Sequence, residues 1–138
     1  MSDEPADRRQ IGLRTMDAVY GPGFSARMPP SKDPFLTETV EQLFANVWSR
    51  PLLSIRDRRL LVLGATAALG RADLIEVQAR GALANDELTP EQLNEAVIQL
   101  AYYVGWGNAT ALKGGIDAAI AKTALYANPP QPVDQADA

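Results

Sequence analysis

The chain has 138 residues, of which 46% are hydrophobic, with 13 basic and 17 acidic side chains and a formal net charge of −4. That length and apolar content suit one compact domain. The acidic balance argues against generic nucleic-acid binding and against adhesion to anionic membranes, both of which need a basic surface. Cysteine and histidine are absent, which excludes disulfides, thiol redox chemistry, zinc sites of the usual ligand set and any histidine-based acid–base mechanism.

The N-terminal "MSDEPADRRQ" is acidic and then basic, with no apolar signal-peptide core behind it. The longest apolar runs, 60–70 and 96–107, fall short of the about 20 residues a membrane helix needs. A soluble, cytoplasmic protein is expected, in which the sequon "NAT" at Asn108 carries no glycan.

Helical spacing dominates the chain. Residues 8–20 place Leu13, Met16 and Tyr20 on one face and stop at "GPG". The fourteen-residue "GPGFSARMPPSKDP" is long for a loop in a compact domain and is expected to pack on the surface, cover a cleft or reach a neighbouring subunit. Asp33 and Pro34 then open a helix whose stripe is Phe35, Leu36, Val40, Leu43, Phe44 and Val47.

After "SRP", Ser54 and Asp57 resemble a capping box, and residues 60–69 are apolar nearly all round, which predicts a central, buried helix closed by Gly70. The next helix, "LIEVQARGAL", presents Leu74, Val77, Gln78 and Gly81 at i, i+3, i+4, i+7. A buried amide costs about 1–3 kcal/mol unless it is hydrogen-bonded, so Gln78 belongs either to a polar pocket or to a satisfied structural network. Thr89, Pro90 and Gln92 form the clearest helix start in the chain, followed by the stripe Leu93, Val97, Leu100, Ala101 and Val104. A last helix is expected from about Ala109 to Ala121, before the tail "NPPQPVDQADA", which has too little apolar content to fold. No alternating strand pattern is present, so the expectation is an all-α domain spanning 1–128 with a disordered tail, 129–138.

Three segments in order, "WSRP", "LTPEQLNE" and "YVGWGNA", sit within a longer likeness from about Arg8 to Lys122. Together the sequence resembles the carboxymuconolactone decarboxylase family in its small stand-alone form. The resemblance implies an all-helical fold of the alkylhydroperoxidase-like type, subunits associating through a helical hairpin as trimers or as a hexameric ring of three dimers, and no cofactor or metal. It also implies loss of carbon dioxide from a small lactone bearing a carboxylate, in the breakdown of aromatic acids. A wider branch reduces peroxides through a Cys-x-x-Cys pair; Arg71 and Leu74 stand in those places here, so thiol peroxidase chemistry is excluded.

By the same resemblance Gln78 falls where a histidine is usual, and Asn46 where related decarboxylases tend to carry glutamate. Both acid–base groups are replaced by amides, which donate hydrogen bonds and orient a carbonyl but give up no proton at neutral pH. Arg50 in "WSRP" is a candidate for the substrate carboxylate, or else a surface arginine at a helix end. Tyr103 and its neighbour Tyr102 are candidate proton donors or packing aromatics. Trp48, Leu74 and Trp106 are candidate pocket walls, with Glu76 and Arg80 on the solvated side of the glutamine helix. Arg56, Arg58 and Arg59 oppose the dipole of the helix they begin, so Asp57, a partner subunit or an anionic ligand should compensate them.

Three functions follow as expectations. One is a lyase or isomerase with altered chemistry on a small cyclic or unsaturated carboxylic acid, with Gln78, Arg50 and Asn46 at its site. Another is a true decarboxylase taking its proton from water, a tyrosine or the substrate. The alternative is a non-catalytic ligand-binding or structural oligomer on the same scaffold.

Overall fold

The computed structural model describes residues 5–28 and 32–127; the expected tail, 129–138, and residues 29–31 of the long loop lie outside them. The elements are α1 (Pro5–Tyr20), a 3-10 turn (Ser25–Arg27), α2 (Pro34–Glu38) running into a π-helical segment (Thr39–Trp48), α3 (Ile55–Ala68), α4 (Ala72–Ala84), α5 (Pro90–Val104) and α6 (Trp106–Ala127). Among the described residues there is no strand, and no helix is long and apolar enough to cross a membrane.

The helix starts follow the capping chemistry. The Asp33 side chain accepts from the Phe35 N–H with Pro34 in the first turn, Ser54 accepts from the Asp57 N–H, and Thr89 with Gln92 makes the full reciprocal box. Helix α6 begins one residue after α5 ends, at Trp106 rather than near Ala109, because only Gly105 intervenes.

Three expected faces differ from those observed. Between Thr39 and Trp48 the backbone winds more widely than an α-helix, with i→i+5 bonding. Its buried residues are Val40, Phe44, Ala45 and Trp48, while Leu43 and Val47, inward on a 3.6-residue repeat, are turned out. On α4 the buried residues are Ile75, Gln78, Ala79, Gly81 and Ala82, because that register packs on α6; of the expected stripe Gln78 and Gly81 are buried, whereas Leu74 and Val77 are exposed. Helix α3 is not buried all round. Arg59, Leu63, Thr66 and Ala67 point inward, but Leu61 and Leu69 are 64% and 72% exposed on the single chain.

The core has two parts. Leu63, Ile75, Ala79, Leu93, Leu112 and Ile116 join α3, α4, α5 and α6, whereas Met16, Val19, Val40, Phe44 and Trp48 join α1 to the π-helical segment. Helix α1 approaches that segment closely because residue 12 is glycine: a Cβ there would lie 2.0 Å from the Val40 carbonyl oxygen.

The two parts meet at Arg59, which has no exposed surface. Its Nε and Nη2 donate to the two Glu87 carboxylate oxygens at 2.8 and 3.0 Å, Nη1 donates to Gln78 Oε1 at 3.0 Å, and Nη2 also donates to the Val19 carbonyl. The guanidinium stands 6.0 Å from the Trp48 ring centroid, within cation–π range. Asn85 Nδ2 donates to Glu87 Oε1 and to the Ala18 carbonyl. One cation therefore ties together α1, α3, α4 and the α4–α5 turn. Gly81 makes the approach possible, since a Cβ there would fall 2.4 Å from the Val19 oxygen and 2.7 Å from Arg59 Nη1.

Arg59 and Arg56 find acidic partners within the chain, whereas Arg58 bonds only a backbone carbonyl and its buried Nε has no hydrogen-bond partner. Arg59 pairs with Glu87; Arg56 Nε donates to the Glu87 carbonyl at 3.0 Å and its guanidinium lies 4.0 Å from Asp57; Arg58 donates to the Arg50 carbonyl at 2.9 Å. Removing one member of a buried pair leaves the other charge unpaired in a poorly solvated place, at about 3–5 kcal/mol. Glu87→Ala is expected to lower unfolding free energy by about that amount in urea titrations. Disrupting the exposed Lys113–Asp117 pair should leave the midpoint nearly unchanged; equal effects of the two changes would contradict the assignment.

Candidate functional site

The sequence-derived candidates do not converge on one pocket in the single chain. Gln78 is buried at 7% exposure and its oxygen is taken by Arg59. Asn46 is exposed on the π-helical segment, where its amide donates to Gln42 at 2.7 Å. Arg50 is exposed just after that segment, and its backbone carbonyl accepts from Arg58. Tyr103 and Trp106 are 80% and 70% exposed around the α5–α6 junction, where Trp106 meets Tyr102 edge to face, and Leu74 is exposed on α4. Trp48 alone joins Gln78 at Arg59: it is buried, stacked on Phe44, beneath the guanidinium. No described hydrogen bond links Gln78 to Asn46, Arg50 or Tyr103.

A cleft of about 270 Å³ opens beside this network, between the C-terminal end of α1, the turn that follows it and α4. Its size is near the lower end of small-molecule sites, about 300–1,000 Å³. Pro22, Phe24, Val77 and Ala84 give it apolar walls; Arg27, Arg80 and Tyr20 give it polar ones. Val77, Arg80 and Ala84 share a face of α4 at i, i+3, i+7.

The turn is held by Asp17, whose carboxylate accepts from the Ser25 N–H at 2.6 Å and from Ser25 Oγ at 2.9 Å. That anchor seats Phe24 against Tyr20, with ring centroids 4.6 Å apart, and leaves Arg27 on the rim. Tyr20 also meets Phe44 edge to face at 5.5 Å.

Tyr20 lines the cleft on one side and packs on the buried Phe44 on the other. Its phenol lies within electrostatic reach of Arg59 and the Gln78 side chain. Burial raises its pKa above the ordinary phenol value, an effect partly offset by the Arg59 charge and by the polar Gln78 side chain. The phenol is consequently a neutral hydrogen-bond donor at physiological pH. The cleft thus combines two guanidinium groups suited to a carboxylate, a neutral O–H and apolar walls.

A larger depression, about 430 Å³, lies between α3 and α5. Leu60, Leu63, Leu88 and Leu100 form its apolar part, with Arg56, Gln92, Glu95 and Gln99 beside them. None of Arg59, Gln78 and Tyr20 lines it.

Sequence reasoning passed over four residues. Tyr20 reads as part of the α1 stripe, Arg27 as loop, Arg80 as solvated surface and Glu87 as turn. The available signal was Arg59 itself, which shares the inward face of α3 with Leu63, Thr66 and Ala67 at i, i+4, i+7, i+8 and so required an acidic partner.

The family model described as "Carboxymuconolactone decarboxylase family" matches residues 34–125, two thirds of the chain. The match includes Gln78, Arg59, Arg80 and Glu87, but Tyr20 and Arg27 precede it. No curated protein and no solved structure matches the chain. The extent of the family match, on an all-helical fold, shows that the chain belongs to the carboxymuconolactone decarboxylase family.

Proposed function

We propose that this chain is a decarboxylase-like lyase or isomerase acting on a small cyclic or unsaturated carboxylate or lactone in the cleft beside Tyr20. The observation carrying this reading is the convergence there of Arg27, Arg80 and a neutral Tyr20 hydroxyl. Arg27 and Arg80 hold the substrate in place by its carboxylates, while the ring packs on Phe24 and Val77.

In a carboxylated lactone the bond to the departing carboxylate breaks, carbon dioxide leaves, and the electron pair passes through the conjugated ring to the carbonyl oxygen. A donor at that oxygen lowers the barrier because it bonds more strongly to the developing anion than to the neutral carbonyl. Tyr20 supplies that donor. The ring carbon is then protonated, with water as the ultimate proton source, so the reaction needs no histidine. Of the residues first considered, Gln78 keeps a structural role as a partner of Arg59. Asn46, Arg50, Tyr103 and Trp106 would contribute only through a surface shared with another subunit.

Purified protein offered carboxymuconolactone is expected to release carbon dioxide. The Arg27→Ala, Arg80→Ala double substitution should reduce kcat/KM at least about 100-fold, corresponding to about 2.7 kcal/mol of transition-state stabilisation. No release from folded wild-type protein would instead favour a binding protein on the same scaffold.

We further propose a homo-oligomer assembled through the outer faces of α3 and α5. Leu61, Leu69, Ile98, Tyr102 and Tyr103 are large, apolar or aromatic, and exposed on the single chain, a pattern that marks interaction surfaces when contiguous. Light scattering is expected to give a multiple of the 14.9 kDa chain mass; a stable monomer at micromolar concentration would contradict it.

A further inference from the structure

We infer that Asp17 is a positioning residue of the cleft: by gripping Ser25 it fixes the segment after α1 as a preformed wall, and it acts on a bound anion through Arg27. This rests on the reading of the cleft as the reaction site and extends it to the residue that holds one side of it.

The two arginines reach the cleft on different supports. Arg80 stands on α4, a helix of 13 residues packed on α6 and α1. Arg27 ends a 3-10 turn of three residues, and so short a turn has little stability of its own. The segment leading to it contains Gly21 and Gly23, at φ of 114° and 82°, and glycine has more backbone freedom to lose than any other residue. Its own backbone bonds are internal: the N–H groups of Phe24, Ala26, Arg27 and Met28 donate to the carbonyls of Gly21, Gly23, Phe24 and Ser25. Among the described residues, the hydrogen bonds that join residues 22–28 to another element are the two from Ser25 to Asp17.

That grip uses both carboxylate oxygens of Asp17. Oδ1 accepts from the Ser25 N–H at 2.6 Å and Oδ2 from Ser25 Oγ at 2.9 Å, across eight positions of the chain. Asp17 precedes Tyr20 by three residues on the same helix, beside a cleft whose cations suit an anion. A carboxylate is electrostatically adverse there, and none of the described ion pairs joins it to Arg27. Its contribution is therefore two aimed acceptors, while its charge works against the ligand.

The consequence is preorganisation. A wall already ordered costs a ligand less on binding than one the ligand must order itself. Asparagine separates position from charge: its oxygen accepts from the Ser25 N–H while its NH2 donates to the Ser25 hydroxyl, which accepts as readily as it donates. Alanine removes both bonds.

The test uses the full chain and isothermal calorimetry, with the lactone anion tetronate, whose negative charge is shared by two oxygens as in a carboxylate, as the probe. Wild type is expected to bind it, Asp17→Ala about tenfold more weakly with the loss in the entropy of binding, Ser25→Ala about threefold more weakly, and Asp17→Asn at least as tightly as wild type. Adding Asp17→Ala to Arg27→Ala should weaken binding by less than about twofold more, whereas adding it to Arg80→Ala should cost its full tenfold. In the ligand-free protein the amides of Ser25, Ala26, Arg27 and Met28 should exchange hydrogen faster in Asp17→Ala and at the wild-type rate in Asp17→Asn. A role confined to stability would leave the dependence on Arg27 unmoved.

Full additivity of Asp17→Ala with Arg27→Ala, unchanged amide exchange in Asp17→Ala, or an Asp17→Asn variant as weak as Asp17→Ala overturns the proposal and leaves the cleft reading standing. If Asp17→Ala does not fold, a Ser25→Ala variant that binds like wild type does the same. Tetronate binding that is absent from wild type, or indifferent to both Arg27→Ala and Arg80→Ala, overturns the cleft reading and the proposal with it. Binding that follows these expectations without carbon dioxide release from carboxymuconolactone overturns the decarboxylation reading alone.

Discussion

A guanidinium without exposed surface is tolerable only if its donors are satisfied and its charge is matched, and the arrangement around Arg59 follows from that requirement. Glu87 supplies the countercharge, Gln78 and the Val19 carbonyl take further donors, and Trp48 faces the cation. These partners come from separate elements, so satisfying the one cation fixes how α1, α3, α4 and the turn before α5 meet. Gly81 is part of the same constraint, because any side chain there would occupy the space that Arg59 and the end of α1 share. Tyr20 lines the cleft beside this network.

The network bears on chemistry as well as stability. In place of an ionisable histidine it presents an amide whose oxygen is held by Arg59, and the cleft beside it is lined by a phenol that stays neutral. On the proposed reading the site works by oriented hydrogen-bond donation and by cations that hold a carboxylate. That is compatible with decarboxylation, which needs an electron sink more than a base. The composition of the cleft is divided: Arg80 and Gln78 lie in the region that matches the family, whereas Tyr20 and Arg27 come from the segment before it. The segment that precedes the matched region therefore supplies half of the proposed chemistry.

Much of the fold was legible because local chemistry sets it. The Asp33–Pro34, Ser54–Asp57 and Thr89–Pro90–Gln92 starts are decided within four residues, and the all-helical class follows from spacing. What escaped was decided over longer range. The wide winding of 39–48 turns Leu43 and Val47 outward, although a 3.6-residue repeat running through Leu36 and Val40 points them inward. Packing on α6 selects Ile75 over Leu74 for the buried face of α4. The Arg59–Glu87 pair joins positions 28 residues apart, with nothing in the local pattern of "NDELTP" to announce it. Gln78 was recognisable as a polar residue needing partners, but its partner Arg59 on α3 was not.

An experimental structure of the protein with tetronate, a five-membered lactone enolate, bound tests most directly the proposal that the cleft beside Tyr20 is a ligand site. The account predicts the lactone in the cleft between α1 and α4, an enolate oxygen within hydrogen-bond distance of the Tyr20 hydroxyl and Gln78 Oε1 still on Arg59. A ligand seated instead beside Arg50 and Trp106, with Tyr20 untouched, would contradict it.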